Sequence, residues 1–234
     1  MSKRVWKERG RTVLAPLVGL LANLGVTPTG VTLFGLGLHI LGAIWIGLGN
    51  PPAGAVVLLV AAVCDALDGA LARQTGQVSR FGAFLDSTID RIDETVVFAG
   101  IAAFFLRSAS AWGDIWAVCA LLVLGGSLVT SYTRARAEGL GLDCNVGVFE
   151  RPERVAVTLL GLFLGSIALS LALVVLLVFS WMTVYQRIQH VQLTLGGGGS
   201  SLRPRDPDPS ETPPSHEDYP ATPRVPYRED PDSE

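Results

Sequence analysis

Charged residues are scarce in this sequence. They make up 17% of the 234 residues, whereas 49% are hydrophobic, and an ordinary soluble domain carries roughly 25% charged residues. The apolar residues lie in long blocks and do not alternate with polar ones, which argues against a soluble enzyme. Cysteine is scarce too. Cys64, Cys119 and Cys144 lie far apart and form no CxxC pair, so the sequence predicts neither a disulfide framework nor a zinc site.

Charge divides the chain into two chemically different parts. Residues 196–234 hold 4 basic and 9 acidic side chains, whereas residues 1–195 hold 14 basic and 12 acidic ones. The C-terminal part also contains 9 of the 14 prolines and begins with a glycine-rich, linker-like run. It has too little apolar surface to offset the entropy of ordering. We therefore expect residues 196–234 to be a disordered, proline-rich acidic tail.

Residues 27–195 carry the apolar blocks of an all-α membrane domain. A bilayer core of ~30 Å needs about 20 helical residues. The stretch Val155–Tyr185 would reach ~46 Å as one helix, so we divide it near Gly165–Ser166 and predict six transmembrane helices in total. The other four predicted spans are Val31–Leu48, Ala53–Ala72, Gly82–Leu106 and Trp112–Tyr132.

The distribution of basic residues predicts the orientation of these spans. With six spans, every Lys or Arg outside them except Arg107 falls on one side, and the loops Gly49–Pro52 and Gly165–Ser166 hold none. By the positive-inside rule that side is cytoplasmic, which predicts a multi-pass protein of the cell membrane with both termini in the cytoplasm. The basic segment 1–26, with Trp6, is expected to form an amphipathic juxtamembrane helix on the inner leaflet. A plain positive-inside flank is the alternative.

Four aspartates lie inside two of the predicted spans. Asp65 and Asp68 are three residues apart, and Asp86 and Asp90 are four apart, so each pair shares a helix face. Counted outward from Gln77 in the intervening loop, Asp68 and Asp86 are each nine residues away, and Asp65 and Asp90 are twelve and thirteen away. An antiparallel hairpin places such pairs at matching depths. We therefore expect the four carboxylates to converge on one point.

Four converging acids in a membrane need a compensating charge. An Asp near the centre of a span costs ~2.5–3.5 kcal/mol on insertion scales, and less toward its ends. The cluster would cost on the order of 10 kcal/mol, which is comparable to the ~5–15 kcal/mol stability of a whole domain. All-oxygen ligation at one site suits Mg²⁺ or Mn²⁺. The alternative is a metal-free cluster that pairs with Arg73, Arg80 and Arg91 or lines a wet cavity.

These residues also resemble a family signature. The motif of the CDP-alcohol phosphotransferase family is matched position for position by Asp65-x2-Asp68-Gly69-x2-Ala72-Arg73-x8-Gly82-x3-Asp86-x3-Asp90. The resemblance implies a fold of six membrane helices over about residues 20–190, forming a homodimer with no nucleic-acid partner. It further implies an enzyme that transfers a phosphatidyl group from CDP-diacylglycerol to an alcohol and releases CMP.

The resemblance also implies roles for individual residues. Asp65, Asp68 and Asp86 would ligate one Mg²⁺ or Mn²⁺ ion. A second ion would be held by Asp65, Asp86 and Asp90, and Asp90 would also be the catalytic general base. In the N-terminal element Thr29 stands where the family usually has Asn. The CDP-diacylglycerol contacts implied by the resemblance are Pro28, Thr29, Gly30, Val31, Gly69, Arg73 and Ser79.

A second basic segment indicates the alcohol acceptor. Ser131 and Arg134 share a helix face, and Arg151 and Arg154 lie at the start of the next helix, an arrangement that favours binding of a phosphate. The pattern SYxxARAE…ERPER resembles the bacterial phosphatidylinositol phosphate synthases, which implies 1D-myo-inositol 3-phosphate as acceptor. Arg134 stands where that branch typically has Lys. The alternative acceptor is glycerol 3-phosphate, as in phosphatidylglycerophosphate synthases.

Other polar and small residues in the spans have a simpler interpretation. His39 is expected to be a packed or hydrogen-bonded core residue, and Asp93 and Glu94 a solvated or ion-paired face. Gly161-x3-Gly165 fits a close helix contact, either within the subunit or across a dimer. Intramembrane carboxylates also occur in ion transporters, but those usually contain internal repeats, and the Asp pattern has no second copy in this sequence.

Overall fold

The structure is a computed structural model that describes residues 15–196, and the regular elements of this part are all α-helices. Most of the predicted amphipathic helix of segment 1–26 lies outside the described residues; the part that is described is helical over residues 15–23. The predicted tail beyond residue 196 lies outside the described residues as well. The helices are α1 (15–23), α2 (Pro28–Gly47), α3 (Pro51–Gln74), α4 (Arg80–Arg107), α5 (Gly113–Glu138), α6 (Arg151–Leu164) and α7 (Ser166–Gly196).

Side-chain caps define where three of these helices begin. Oγ1 of Thr27 accepts a hydrogen bond from the Gly30 amide before α2. Asn50 caps α3 and Ser79 caps α4 in the same way, each three residues before its partner. Such side chains satisfy amide groups that the first turn leaves without partners. Because these signals are local, the helix starts lie within a few residues of the predicted spans.

A glycine separates the last two helices, as the sequence predicted. Gly165 has a φ of 99°, a conformation that favours glycine because a Cβ would clash with the backbone. α6 therefore ends at Leu164 and α7 starts at Ser166. Gly161 lies against α7, since a Cβ added to it would stand 2.8 Å from the Cβ of Ala172. The close helix contact at Gly161 is thus made within the subunit.

Within residues 15–196, four helices are long and apolar enough to cross a membrane, namely α2, α3, α5 and α7. This finding supports a multi-pass membrane protein. α4 has 28 residues but carries five charged side chains between Asp86 and Glu94. α6 has 14 residues and reaches ~21 Å at 1.5 Å per residue. The two further predicted spans therefore stay predictions.

The helices pack around two apolar clusters. α2 contacts α3 and α4, while α4 also contacts α5, and α3 contacts α6. The larger cluster joins α2 to α7 through buried side chains such as Ile46, Ile101 and Leu173. The smaller one lies beside the starts of α1 and α2 and contains Val31 and Cys64. Packing explains why Cys64 is buried although it adjoins Asp65.

Gly100 marks the closest approach of α4 to α2, and replacing it with Ala is expected to destabilise the bundle. A Cβ there would stand 2.5 Å from the carbonyl oxygen and 2.9 Å from the Cα of Ala43. Backbone atoms cannot rotate away, so overpacking should cost about 1–3 kcal/mol. Thermal unfolding in detergent micelles measures the change. The matched control is Gly125→Ala in α5, where nothing lies within 4 Å and Ala favours the helix; equal melting temperatures for the two variants would contradict the close approach.

Candidate active site

An open cavity lies between the start of α2, the end of α3 and the start of α4; we name it the acidic cleft. Its empty volume is about 1830 Å³. Three carboxylates from two helices face it together with the Ser79 cap and the exposed side chain of Arg73. Among the residues predicted from the sequence, the cleft brings together Pro28, Thr29, Asp65, Asp68, Gly69, Arg73, Ser79, Asp86 and Arg151.

The start of α2 lines the acidic cleft with a set of residues that differs from the predicted one. Thr32 lines the acidic cleft, and its hydroxyl donates a 2.7 Å hydrogen bond to Oδ2 of the buried Asp68. Thr32 is part of the N-terminal motif but was not predicted as a site residue. Gly30 and Val31 do not line the cleft; the Val31 side chain is buried in the smaller apolar cluster. Helical periodicity explains this, since residues 28 and 32 share a face that residue 31 does not fully share.

Asp65 and Asp90 meet at one arginine. Nη2 of Arg151 lies 3.3 Å from Oδ2 of Asp65 and 2.6 Å from Oδ1 of Asp90. Arg91 lies 3.6 Å from the other oxygen of Asp90. The two aspartates therefore face each other at one level of the α3–α4 hairpin, which agrees with the count of residues from the loop. Asp90 does not line the acidic cleft itself and reaches it through Arg151.

The acidic cleft fits a hard divalent cation by the chemistry of its donors. Its carboxylates offer oxygen ligands, which Mg²⁺ and Mn²⁺ prefer. The Arg151 guanidinium already stands as a positive charge between Asp65 and Asp90. A tighter group also exists among the described residues, in which ligand atoms of His39, Asp65 and Asp93 lie within 4.8 Å of one another. Of the four predicted aspartate ligands, Asp65 belongs both to the acidic cleft and to the group with His39 and Asp93.

A second cavity, named the basic cleft, opens between α4, α5, α6 and α7. Its empty volume is about 1450 Å³, and five arginines but two glutamates line it. All four predicted acceptor-phosphate residues are on its wall, which contains Ser131, Arg134, Arg151 and Arg154.

Arg187 of α7 also lines the basic cleft and was missed by sequence reasoning. It is 6% exposed, its Nε donates to the Val146 carbonyl oxygen at 3.0 Å, and its Nη1 donates to the Thr130 carbonyl oxygen. The sequence showed it as one more flanking positive charge after the last span. A single arginine in that position has no local motif that distinguishes a residue lining a cleft from a basic residue flanking a span.

The carboxylate of Glu94, whose side chain is 11% exposed, organises two arginines of the basic cleft. Its Oε1 accepts from Arg154 at 3.0 Å, and its Oε2 accepts from Arg91 at 3.1 Å and from Ser127 at 2.6 Å. Arg91 also donates to Oγ of Ser131 at 2.6 Å. Glu94 therefore fixes side chains from α4, α5 and α6. The sequence left a solvated and an ion-paired face open for Asp93 and Glu94, and for Glu94 the ion-paired interpretation is correct.

Arg134 has a more exposed partner, whereas Arg151 connects the two clefts. Nε of Arg134 donates to Glu138 at 2.8 Å, and both side chains are about half exposed. Arg151 lines the acidic and the basic cleft alike. Its helix-start position predicted a phosphate contact, but in the structure its guanidinium lies against Asp65 and Asp90. One side chain thus stands where the two cavities adjoin.

Comparison with known proteins finds relatives of this chain. A sequence profile of the family described as CDP-alcohol phosphatidyltransferase matches residues 25–190. The chain is 38% identical over 208 residues to the phosphatidylinositol phosphate synthase of Mycolicibacterium smegmatis, and the match covers 84% of this chain and 91% of that protein.

Solved structures are similar over the same region. The crystal structure of the Mycobacterium tuberculosis phosphatidylinositol phosphate synthase with CDP-diacylglycerol bound superposes with a TM-score of 0.72 at 35% identity, covering 77% of this chain and 94% of that chain. The crystal structure of the same enzyme in complex with manganese and citrate gives a TM-score of 0.70 at 36% identity, covering 75% of this chain and 87% of that chain. The fold of the helical domain is therefore shared.

Proposed function

Since this chain belongs to the CDP-alcohol phosphatidyltransferase family, we propose that it transfers the phosphatidyl group of CDP-diacylglycerol to 1D-myo-inositol 3-phosphate. The products are phosphatidylinositol phosphate and CMP. One observation carries the proposal: an acidic cleft and an arginine-rich cleft adjoin at Arg151. The relatives named phosphatidylinositol phosphate synthase support the choice of an inositol phosphate over glycerol 3-phosphate.

The acidic cleft is proposed to hold the cytidine diphosphate. Arg73 and Ser79 line it beside Thr29, and Arg73 is exposed enough to reach a phosphate oxygen. Gly69 itself has no side chain that would keep the nucleotide from the backbone of α3, and the Arg73 guanidinium lies beside it, 3.4 Å from the position that a Cβ would take. The Thr29 hydroxyl takes the position at which the family motif has Asn. These contacts would place the diphosphate beside the aspartates.

The same aspartates are proposed to hold Mg²⁺ or Mn²⁺, as two ions. Asp65, Asp68 and Asp86 would hold one ion, and Asp65, Asp86 and Asp90 the other. A relative of the same fold was solved with manganese. When bound, such ions neutralise negative charge that builds on the diphosphate oxygens toward the transition state.

Asp90 is proposed to be the general base of the transfer. Its carboxylate accepts the proton of the acceptor hydroxyl while that oxygen forms a bond to the phosphorus that carries the diacylglycerol. The bond from this phosphorus to the bridging oxygen breaks, and CMP leaves. Arg151 lies 2.6 Å from Asp90, so it orients the base at the junction of the clefts.

The basic cleft is proposed to bind the phosphate of the acceptor. Arg134, Arg154 and Ser131 line it together with Arg151, and guanidinium groups bind phosphate oxygens through paired hydrogen bonds. Glu94 holds Arg154 in place, which reduces the ordering that substrate binding must impose. A phosphate anchored there would direct a ring hydroxyl toward Asp90.

A panel of acceptors tests the proposed reaction. Purified protein in detergent is given CDP-diacylglycerol, Mg²⁺ and one acceptor, and CMP release is measured. We expect the fastest release with 1D-myo-inositol 3-phosphate, slower release with glycerol 3-phosphate and little with unphosphorylated inositol, because the arginines need a phosphate. Fastest release with glycerol 3-phosphate would make glycerol 3-phosphate the acceptor, and no CMP release with any acceptor would reject the proposed enzyme activity.

We further propose that α4 and α6 complete six membrane spans, with both termini and the active site cytoplasmic, in a homodimer. α4 reaches ~42 Å at 1.5 Å per residue, and its charged side chains have partners inside the protein, such as Glu94 with Arg154. Outside the spans, all Lys and Arg residues except Arg107 lie on one side of such a bundle, which the positive-inside rule makes cytoplasmic. Light scattering of the solubilised protein tests the dimer.

Cysteine labelling tests whether α4 crosses the membrane. If α4 crosses the membrane, Gln77→Cys and Ala111→Cys lie on opposite sides; if it does not, they lie on the same side. The three native cysteines are buried and should react slowly. A membrane-impermeant maleimide applied to right-side-out vesicles is expected to label Ala111→Cys and not Gln77→Cys. Labelling of both positions from one side would contradict a spanning α4.

A further inference from the structure

A group of metal-binding side chains lies beside the acidic cleft and has no part in the proposed reaction except through Asp65. It joins His39 of α2, Asp65 of α3 and Asp93 of α4, and one ligand atom of each lies within 4.8 Å of the others. His39 is 9% exposed and Asp93 is 2% exposed. Three helices thus direct donors at one enclosed point.

Asp93 lacks the hydrogen bond that its burial demands. Its Oδ1 lies 3.3 Å from Nδ1 of His39. Nδ1, however, donates to the Gly35 carbonyl oxygen at 3.0 Å, because a carbonyl can only accept. Oδ1 of Asp93 is consequently buried with no hydrogen-bond partner. A buried carboxylate oxygen without a partner is costly, and a bound cation would give this oxygen a partner.

Asp65 presents its two oxygens to two different places. Oδ2 pairs with Arg151. Oδ1 faces α2, where a Cβ added to Gly35 would stand 3.2 Å from it. Gly35 lies one helical turn before His39, and its lack of a side chain leaves Oδ1 open on that side. Asp65 can therefore donate one oxygen to each of two neighbouring sites.

The local charge also favours a cation. Around the cluster, Asp65, Asp90 and Asp93 together with Glu94 bring four negative charges, against three from the arginines paired with them. A cavity with an empty volume of about 520 Å³ adjoins the site and is lined by His39 and Asp93. This cavity has room for water molecules, which would complete the coordination of an ion held by only three protein donors.

We propose that His39, Asp65 and Asp93 form a separate divalent-metal site that prefers a first-row transition ion such as Mn²⁺ to Mg²⁺. Imidazole suits transition ions, whereas Mg²⁺ favours oxygen donors. The Nδ1 hydrogen bond to the Gly35 carbonyl oxygen has the form usual for a metal-bound His, whose second ring nitrogen donates to a carbonyl or carboxylate. The site shares Asp65 with the ions of the reaction proposed above, but His39 and Asp93 have no part in that reaction.

Electron spin echo spectroscopy of Mn²⁺ tests this site directly. The full chain, purified without a polyhistidine tag, is loaded with Mn²⁺ alone, and modulation from a coordinated ¹⁴N is recorded. An Mn²⁺ ion that is held only by aspartates gives no ¹⁴N modulation, whereas an Mn²⁺ ion bound to His39 gives it. We expect the modulation to be lost in His39→Gln and kept in the matched control His190→Gln. Its absence from the unmodified protein, or its persistence in His39→Gln, would overturn the proposal.

Asp93→Asn provides the second variant and decides the outcome if His39→Gln does not fold. We expect it to weaken the nitrogen-coupled Mn²⁺ by ~10-fold or more, since the loss of even an outer partner of a metal ligand has an effect of that size. Excess Mg²⁺ should leave the modulation unchanged in the unmodified protein. Unchanged Mn²⁺ affinity in Asp93→Asn would reject the site. CMP release from the same preparations reports on the proposed reaction separately.

Discussion

Asp90→Asn is expected to lower the rate of CMP release by about 10²–10⁴-fold, the usual contribution of a positioned general base. The amide has nearly the shape of the carboxylate but cannot take the proton of the acceptor hydroxyl. CDP-diacylglycerol should still bind, because the residues lining the acidic cleft are unchanged. Initial rates of CMP release and direct binding of CDP-diacylglycerol to the purified variant measure the two effects.

The control for this variant is Asp114→Asn. Asp114 is an exposed acid in the first turn of α5, far along the chain from both clefts. The change of charge is the same, but turnover should stay at the level of the unmodified protein. Full activity in Asp90→Asn would refute its role as the base, and loss of CDP-diacylglycerol binding would show that Asp90 acts in holding the substrate and its metal ion and not as the base alone.

Glu94→Gln is expected to reduce both stability and affinity for the acceptor. The glutamine leaves Arg154, which is 6% exposed, without its ionic partner, and breaking such a buried pair typically costs about 3–5 kcal/mol. Arg91 loses the same partner. Since both arginines line the basic cleft, the KM for inositol 3-phosphate should rise while the KM for CDP-diacylglycerol changes little. Thermal unfolding and steady-state kinetics with each substrate varied in turn measure these effects.

Glu138→Gln is the matched comparison. It removes the partner of Arg134 in an (i, i+4) pair whose side chains are about half exposed, and such pairs contribute about 0.3–0.5 kcal/mol. Its melting temperature should therefore stay close to that of the unmodified protein. If both glutamine variants unfolded at the same temperature, the buried network around Glu94 would not be a main source of stability.

The helices of this protein could be predicted because their boundaries depend on neighbouring residues. Thr27, Asn50 and Ser79 each cap a helix through an amide three residues later, and Gly165 ends α6 through its own backbone conformation. The family signature is local for the same reason. The six spans predicted from the sequence stay a prediction, since the acids that carry the signature also lower the hydropathy by which α4 would be counted as a span.

The faces of the aspartates could also be predicted, since helical periodicity within one hairpin determines them. Asp65 and Asp90 accordingly meet at the same level. The partner of each charge could not be predicted. Arg151 pairs with these two aspartates across 86 and 61 positions of the chain, and His39 approaches Asp93 across 54.

The sequence by itself thus determined the helices, the acidic signature and the family. Only the tertiary structure decided that Arg151 joins two clefts, that Glu94 holds Arg154 and that His39 lies beside Asp93. The physical reason is that a buried charge pairs with whichever opposite charge helix packing brings near, because attraction is strong at short range in a medium of low dielectric constant. Which helices pack together is a property of the whole bundle.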